Sequence, residues 1–326
     1  MPRTKFARRL KPGSVVQIVA PSDPLTKLSN QEITASEQYL CSLGLEVEYG
    51  NSAKKGDQSI DGRCQDLYEA FANPKIGLVL AAAGGYIESE LIAELKFKKL
   101  RGDKKFFCGY SDNTVLVAAL HKALSVSTLY GPNFSSFSQR EGSEYTRKYF
   151  EQLLFSSQAF SIQPSFTWFD KTYAVDNTVI TSHKNHGWKS LGPVATVEGQ
   201  LVVGHLGSLL NLAAVKLLPD LTSKILAIEI DSETSISQLQ SQLGYLSGVV
   251  ELSKLAGMLF GRMPTGSNIS LSALENLIVQ NTSLKNLPII VNVDFGHTTP
   301  RVTLPYGGTI IMRSQIGNES IRVVEH

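Results

Sequence analysis

The chain has 326 residues, 42% of them hydrophobic and 18% charged, with 31 basic residues against 29 acidic ones. That length predicts two domains, each able to bury its own core, and the near balance of charge removes any electrostatic case for binding nucleic acid or a membrane surface. No run approaches the roughly 20 apolar residues that span a bilayer, and the three cysteines, Cys41, Cys64 and Cys108, lie in apolar settings that read as reduced core positions, not as a disulfide framework.

The N-terminus, MPRTKFARRLKPG, is basic and the first acidic residue is Asp23, a pattern open to a transit peptide. The apolar stretch that follows, SVVQIVAP, is too short for a signal sequence and reads as a buried strand, so the expected location is the cytoplasm. Sequons such as Asn133-Phe-Ser would be idle there. The first half then alternates as a parallel α/β layer does. Residues 30–44 read as a helix ending at Gly44, with Ile33, Tyr39, Leu40 and Leu43 inward; LEVEYG reads as a strand; and 62–74 reads as a helix stopped before Pro74. IGLVLAAAGG is a continuous apolar strand running into two glycines. ESELIAEL reads as a helix, KKFFCGY as a strand and NTVLVAALHKALS as a helix.

The pattern changes after residue 150. Residues 161–185, mixed polar and aromatic without a helical period, read as an interdomain connection between an N-terminal α/β domain (1–160) and a C-terminal domain (186–326). The latter carries strands at ATVEGQLVVGHL, KILAIEID, LAGMLFGRM, PIIVNVDFG and GTIIMRS. Helices are expected at SLLNLAAVKLL, SISQLQSQLGYLSGVVELSK and SLSALENLIVQN. The second unit is thus α/β, richer in strand and not doubly wound.

Gly109-Tyr110-Ser111-Asp112-Asn113 lies one residue from the G-x-S-x-G turn that exposes a nucleophilic serine between a strand and a helix, with Asn113 in place of the second glycine. The competing reading is that Ser111 or Asp112 caps the helix. AAAGGYIES has neither phosphate-binding spacing. Its glycines, Gly84 and Gly85, either let the backbone approach a substrate or make an ordinary turn.

A serine hydroxyl needs a base, and the base needs an orienting group. Of six histidines, His326 is terminal, His121 lies within a helix, and His183 and His186 lie in the connection with no carboxylate or cysteine set to support a metal. His205 and His297 both follow apolar strands at a glycine, and His297, at the end of IIVNVDFGH, is the stronger candidate. Glu229 sits inside the apolar strand KILAIEID, where an ionised group is costly unless paired. An imidazolium would serve as that partner; an edge position in water is the alternative.

In combination these pieces resemble the LD-carboxypeptidase and microcin self-immunity peptidases. The resemblance rests on VAPSDP, GYSDNTVLVAAL, YGP, NHGW, GHLGSLLNL, ILAIEID and NVDFGHTTPRVTLPYGG, which occur in order over most of the chain. It implies a Ser-Glu-His triad of Ser111, Glu229 and His297, with an oxyanion hole from the backbone N–H groups of Gly85 and Asp112. It implies an active site in the cleft between the domains, a homodimer, a small peptide-like substrate, and neither metal nor cofactor. Substrate choices are a murein tetrapeptide losing its terminal D-residue or, as the alternative, a peptidyl-nucleotide conjugate; an α/β-hydrolase esterase and a non-catalytic binding protein are the rivals.

Departures from the family pattern bear on specificity. Ala83 stands where many LD-carboxypeptidases carry arginine, Ile87 replaces the last glycine of that loop, and His205 stands where asparagine is usual. Residues 130–132 and 185–188 look closer to the self-immunity branch, with Trp188 either a platform for a planar group or a core residue. Gly84, Trp188 and His205 are the candidate substrate contacts.

Overall fold

The computed structural model describes residues 4–86, 88–100, 104–173 and 178–326, which divide into two compact units. The first comprises residues 1–140, 147–157 and 303–307; the second comprises 141–146, 158–302 and 308–326.

Five strands come first: β1 (Val15–Val19), β2 (Glu46–Tyr49), β3 (Ile76–Ala81), β4 (Phe106–Gly109) and β5 (Thr128–Tyr130). Helices α1 (Asn30–Ser42), α2 (Asn51–Lys55), α3 (Ile60–Ala72), α4 (Glu88–Glu94), α5 (Thr114–Leu124) and α6 (Ser143–Phe155) accompany them. Then follow β6 (Phe160–Ile162), β7 (Thr167–Tyr173), β8 (Thr178–Lys184), β9 (Lys189–Leu191) and β10 (Ala195–His205). Next are α7 (Leu206–Ala214), β11 (Ile225–Glu229), α8 (Ile236–Val249), β12 (Gly257–Gly261), α9 (Leu271–Gln280) and β13 (Ile289–Val293). The chain closes with β14 (Leu304–Tyr306), β15 (Thr309–Ser314) and β16 (Ser320–Glu325).

The first unit holds a six-stranded sheet in the order β14-β5-β4-β3-β1-β2, parallel except for β14, which runs antiparallel against β5. β1 and β3 are buried along their length as a strand covered on both faces must be, whereas β2 sits at the edge and its glutamates alternate outward. α1 starts with a capping box, in which Ser29 accepts from the Glu32 N–H and Glu32 accepts from the Ser29 N–H. It buries Tyr39 and Leu40, while Ile33 and Leu43 are only half-buried.

The second unit is built on an eight-stranded mixed sheet, β6-β16-β15-β10-β11-β12-β13-β9, whose central β10 to β13 are parallel. α8 ends at Val249, earlier than its apolar pattern suggests, because Val250 is extended and a short 3-10 turn over Leu252–Lys254 follows. Residues 161–185 are not an irregular connection. β6 joins the large sheet, β7 and β8 pair as an antiparallel hairpin, and all three strands belong to the second unit.

All three cysteines are free thiols, as expected of reduced residues. Cys64 and Cys108 are buried, but Cys41 is exposed, because it follows the inward Leu40 by one helical step and so faces away from the core. Among the described residues no helix is long and apolar enough to cross a membrane.

Candidate active site

β4 delivers its last residues to a sharp turn. Tyr110 is extended, Ser111 adopts φ +66°, and a 3-10 turn over Ser111–Asn113 leads straight into α5. A left-handed conformation is costly for a residue with a Cβ, by about 1–3 kcal/mol, and persists only where surrounding contacts enforce it. Those contacts are present. Asn113 donates through Nδ2 to the carbonyl of Ala83 at 2.8 Å, and the same nitrogen lies 3.2 Å from Asn133 Oδ1. Asn133 Oδ1 also accepts from the Tyr110 N–H at 3.1 Å, and the Tyr130 hydroxyl accepts from the Ser111 N–H at 3.2 Å. Thr114 ties the helix start back by donating its hydroxyl to the Ser111 carbonyl at 2.6 Å.

The glycine of the turn has a steric cause. A Cβ on Gly109 would lie 2.8 Å from the Asn113 Cβ and 3.1 Å from the Ala81 Cβ, so only glycine lets the chain fold back this closely. Asn113 itself has ordinary helical angles; the unusual conformation falls on the serine. The helix-cap alternative fails too. Neither Ser111 nor Asp112 is the N-cap of α5, and the Asp112 carboxylate instead accepts a 2.5 Å hydrogen bond from the buried Ser22 hydroxyl.

The glycine loop after β3 packs on this turn. A Cβ on Gly84 would meet the Ser111 Cβ at 3.2 Å, and one on Gly85 would meet the Ser22 hydroxyl at 2.4 Å. The Asp23 N–H donates to the Gly84 carbonyl at 3.1 Å and fixes the loop against VAPSDP. Ile87 lies outside the described residues.

In the second unit, β11 ends on Glu229, which is 0% exposed, and Glu229 Oε2 lies 2.7 Å from His297 Nδ1. A buried carboxylate is stable only when paired, and the imidazole is that pair. Two glycines make room: a Cβ at Gly296 would stand 2.6 Å from Glu229 Oε2, and one at Gly261 would stand 2.8 Å from the Glu229 Cβ. With Nδ1–H donated to the carboxylate, the basic nitrogen is Nε2, and the His297 side chain remains 22% exposed.

β10 and β11 run in register with His205 opposite Glu229. His205 accepts through Nδ1 from the Ser208 N–H at the start of α7, its Nε2 lies 3.4 Å from Asp231 Oδ2, and its ring stands edge-on to that of His297 at 5.6 Å. His205 holds the Asp231 carboxyl well below the usual carboxylate range; the Thr234 hydroxyl adds to this and burial opposes it.

Trp188 is not an open aromatic platform. It is 8% exposed and its indole N–H donates to Asp294 Oδ2 at 2.9 Å. Asp294 Oδ1 also receives Arg262 Nη2 and the Ser165 hydroxyl, each at 2.5 Å. His183 lies in β8, and its ring stacks on that of Trp168 at 4.1 Å. Among the described residues no cluster of histidine, cysteine, aspartate or glutamate could hold a metal ion. Sequence reasoning missed Ser22, Tyr130 and Asn133, which brace the serine turn from 19 to 90 residues away. Nothing local in the sequence marks them; their burial and their bonds to the turn appear only in the structure.

The arrangement places this molecule in a known two-domain α/β class. Its fold matches the crystal structure of an MccF-like protein from Bacillus anthracis str. Ames with a TM-score of 0.94 at 32% identity, covering 99% of this chain and 100% of that one. The chain belongs to the LD-carboxypeptidase family: residues 16–131 match the family's N-terminal domain and residues 198–312 its C-terminal domain. YocD of Bacillus subtilis (strain 168) is 32% identical over 98% of this chain and 100% of its own length. The microcin C7 self-immunity protein MccF of Escherichia coli is 24% identical over 98% and 96%.

Proposed function

We propose that this protein is a serine-type carboxypeptidase in which Ser111 is the nucleophile, His297 the base and Glu229 the group that orients it. The observation that carries this is Ser111 itself, held at φ +66° between a buried strand and a helix. In the reaction, Ser111 Oγ attacks the scissile carbonyl while His297 Nε2 takes its proton, then returns it to the leaving amine. Glu229 keeps the proton on Nδ1 and stabilises the imidazolium that forms. The N–H groups of Gly85 and Asp112 would receive the oxyanion, and loss of one such donor costs about 2.7–4 kcal/mol of barrier. This chemistry requires the two units to bring Ser111 Oγ within hydrogen-bond reach of His297 Nε2.

The first substrate choice is a murein-type tetrapeptide cleaved before its terminal D-residue, in keeping with the family. A peptidyl-nucleotide conjugate is the second, supported by the likeness in fold to MccF, whose structure has been solved in complex with aspartyl sulfamoyl adenosine. His205, edge-on to His297, would contact either substrate. A cytoplasmic homodimer completes the proposal, checked by fractionation and by mass photometry.

The test is to incubate the protein and its Ser111→Ala variant with a murein tetrapeptide and with a peptidyl-adenylate analogue, reading products by mass spectrometry. Serine-dependent release of the D-residue supports the first substrate; release of the nucleotide part supports the second. Turnover retained by Ser111→Ala, with its thermal unfolding unchanged, overturns the nucleophile assignment.

A further inference from the structure

A cavity of about 470 Å³ opens in the first unit where β4 and β5 begin, at the opposite end of β4 from Ser111. Its floor is apolar: Phe71, Phe107, Leu120 and Val126 line it and are all buried. α3, β4, α5 and the chain entering β5 supply these residues, so the floor is part of the sheet's own core packing.

The rim is of a different kind. Lys5, Lys98 and Lys104 line the opening with exposed side chains, and none of the three side chains has a hydrogen bond or ion pair among the described residues. Lys5 is held in place through its backbone, which bridges to Ser125 and Ser127 at 2.8 Å each. A fourth lysine, Lys105, is 3% exposed, and its ammonium donates to the carbonyls of Ile76 (2.9 Å) and Asn73. None of the described residues lining the cavity is acidic. Three exposed lysines thus gather at one opening in a chain whose overall charge is near balance, with 31 basic and 29 acidic residues.

An apolar floor ringed by cations is complementary to a molecule with an apolar body and an anionic head. The volume falls in the range of roughly 300–1,000 Å³ usual for small-molecule sites. Exposed ammonium groups would meet the head while it stays partly hydrated, so their contribution is that of charge-assisted hydrogen bonds at a water-accessible rim. The lysine stems extend the apolar wall. A head group alone would gain little here, and so would a tail alone.

We propose that this cavity is a binding site for a small amphipathic carboxylate, an acyl or aryl acid, separate from the catalytic residues. The proposal does not rest on the peptidase assignment, because every lining residue lies in the first unit and none takes part in the turn at Ser111.

The experiment is calorimetric titration of the full chain with decanoate, alongside decanol and acetate. Saturable one-to-one binding of decanoate is expected, at least about tenfold tighter than either control. The variant Lys5→Glu/Lys98→Glu/Lys104→Glu should weaken decanoate by at least about tenfold and leave decanol unchanged. Leu124→Trp, which fills the hollow from a half-buried wall position, should weaken both. Ser111→Ala should bind like the unsubstituted protein. Circular dichroism confirms that each variant is folded; should the triple glutamate variant fail to fold, Lys98→Gln/Lys104→Gln takes its place. Decanoate binding that ignores the lysine changes, that decanol matches, or that never saturates overturns the proposal. So does co-sedimentation with phosphatidylglycerol vesicles without binding of free decanoate, which would assign the rim to a membrane surface.

Discussion

Replacing Asp294 by asparagine isolates a fully buried ion pair of the second unit. Asp294 is 0% exposed and accepts from Arg262 Nη2 at 2.5 Å, the Ser165 hydroxyl at 2.5 Å, Trp188 Nε1 at 2.9 Å and Asn185 Nδ2 at 3.4 Å. Asparagine keeps the shape, removes the charge and turns one acceptor into a donor facing donors. Arg262, 2% exposed, would then keep its charge with neutral partners alone: the remaining amide oxygen, Asn292 Oδ1 at 3.2 Å from Nε, and the Trp168 ring at 5.3 Å. Breaking a buried pair from one side costs about 3–5 kcal/mol. At about 2–4 °C per kcal/mol for a unit of this size, unfolding should fall by about 6–20 °C. The assay is thermal unfolding followed by near-ultraviolet circular dichroism, which also reports Trp188. Adding Arg262→Met to Asp294→Asn removes the stranded cation and should recover part of the loss. A shift below about 2 °C for Asp294→Asn, or further loss on adding Arg262→Met, would refute the reasoning.

Three further outcomes follow from named contacts. Ser111→Gly relieves the left-handed strain and should stabilise the first unit by about 0.5–1 kcal/mol in urea titration while abolishing turnover; a destabilised variant would mean that the φ angle stores no strain. Asp231 is depressed by His205, so its ionisation stabilises the fold above the unfolded carboxyl value of 3.8, and that contribution is lost as pH falls through the lower folded value. Asp231→Asn should therefore be less stable than the unsubstituted protein at pH 5, with the gap closing as the pH drops below 3.8; a gap independent of pH contradicts it. Cys41 alone should react quickly with a disulfide reagent, because Cys64 and Cys108 are buried and burial pushes the Cys108 thiol up; two fast thiols would count against this packing.

Where an element's identity is carried by its own residues, it was legible in the sequence. The unbroken apolar runs of β1, β3 and β4 announce strands covered on both faces, and Glu229 is conspicuous because it interrupts such a run. The turn at Ser111 and the placing of His297 after a glycine were legible for the same reason. Elements that depend on distant partners were not. The β7–β8 hairpin shows no clean alternation because it is not part of a covered sheet, and what holds it are Asp170 accepting from the Thr265 N–H and hydroxyl and the bridge from Phe169 to Thr299. Trp188 was ambiguous for want of Asp294, 106 residues away. The bracing of Asp112 by Ser22 across 90 residues has no local signature at all.

The six-stranded sheet is completed by β14, three residues that the ribosome makes only after the whole of β6 to β13. Until then Thr128, Leu129 and Tyr130, all buried in the finished protein, form an open sheet border with unmet backbone groups. The family's N-terminal segment, matched here over residues 16–131, is therefore not a module that can be cut out of this gene. A fragment ending before Thr303 would carry Ser111 on a sheet prone to self-association, and a nascent chain must extend through Tyr306 before that sheet is closed at its β5 border.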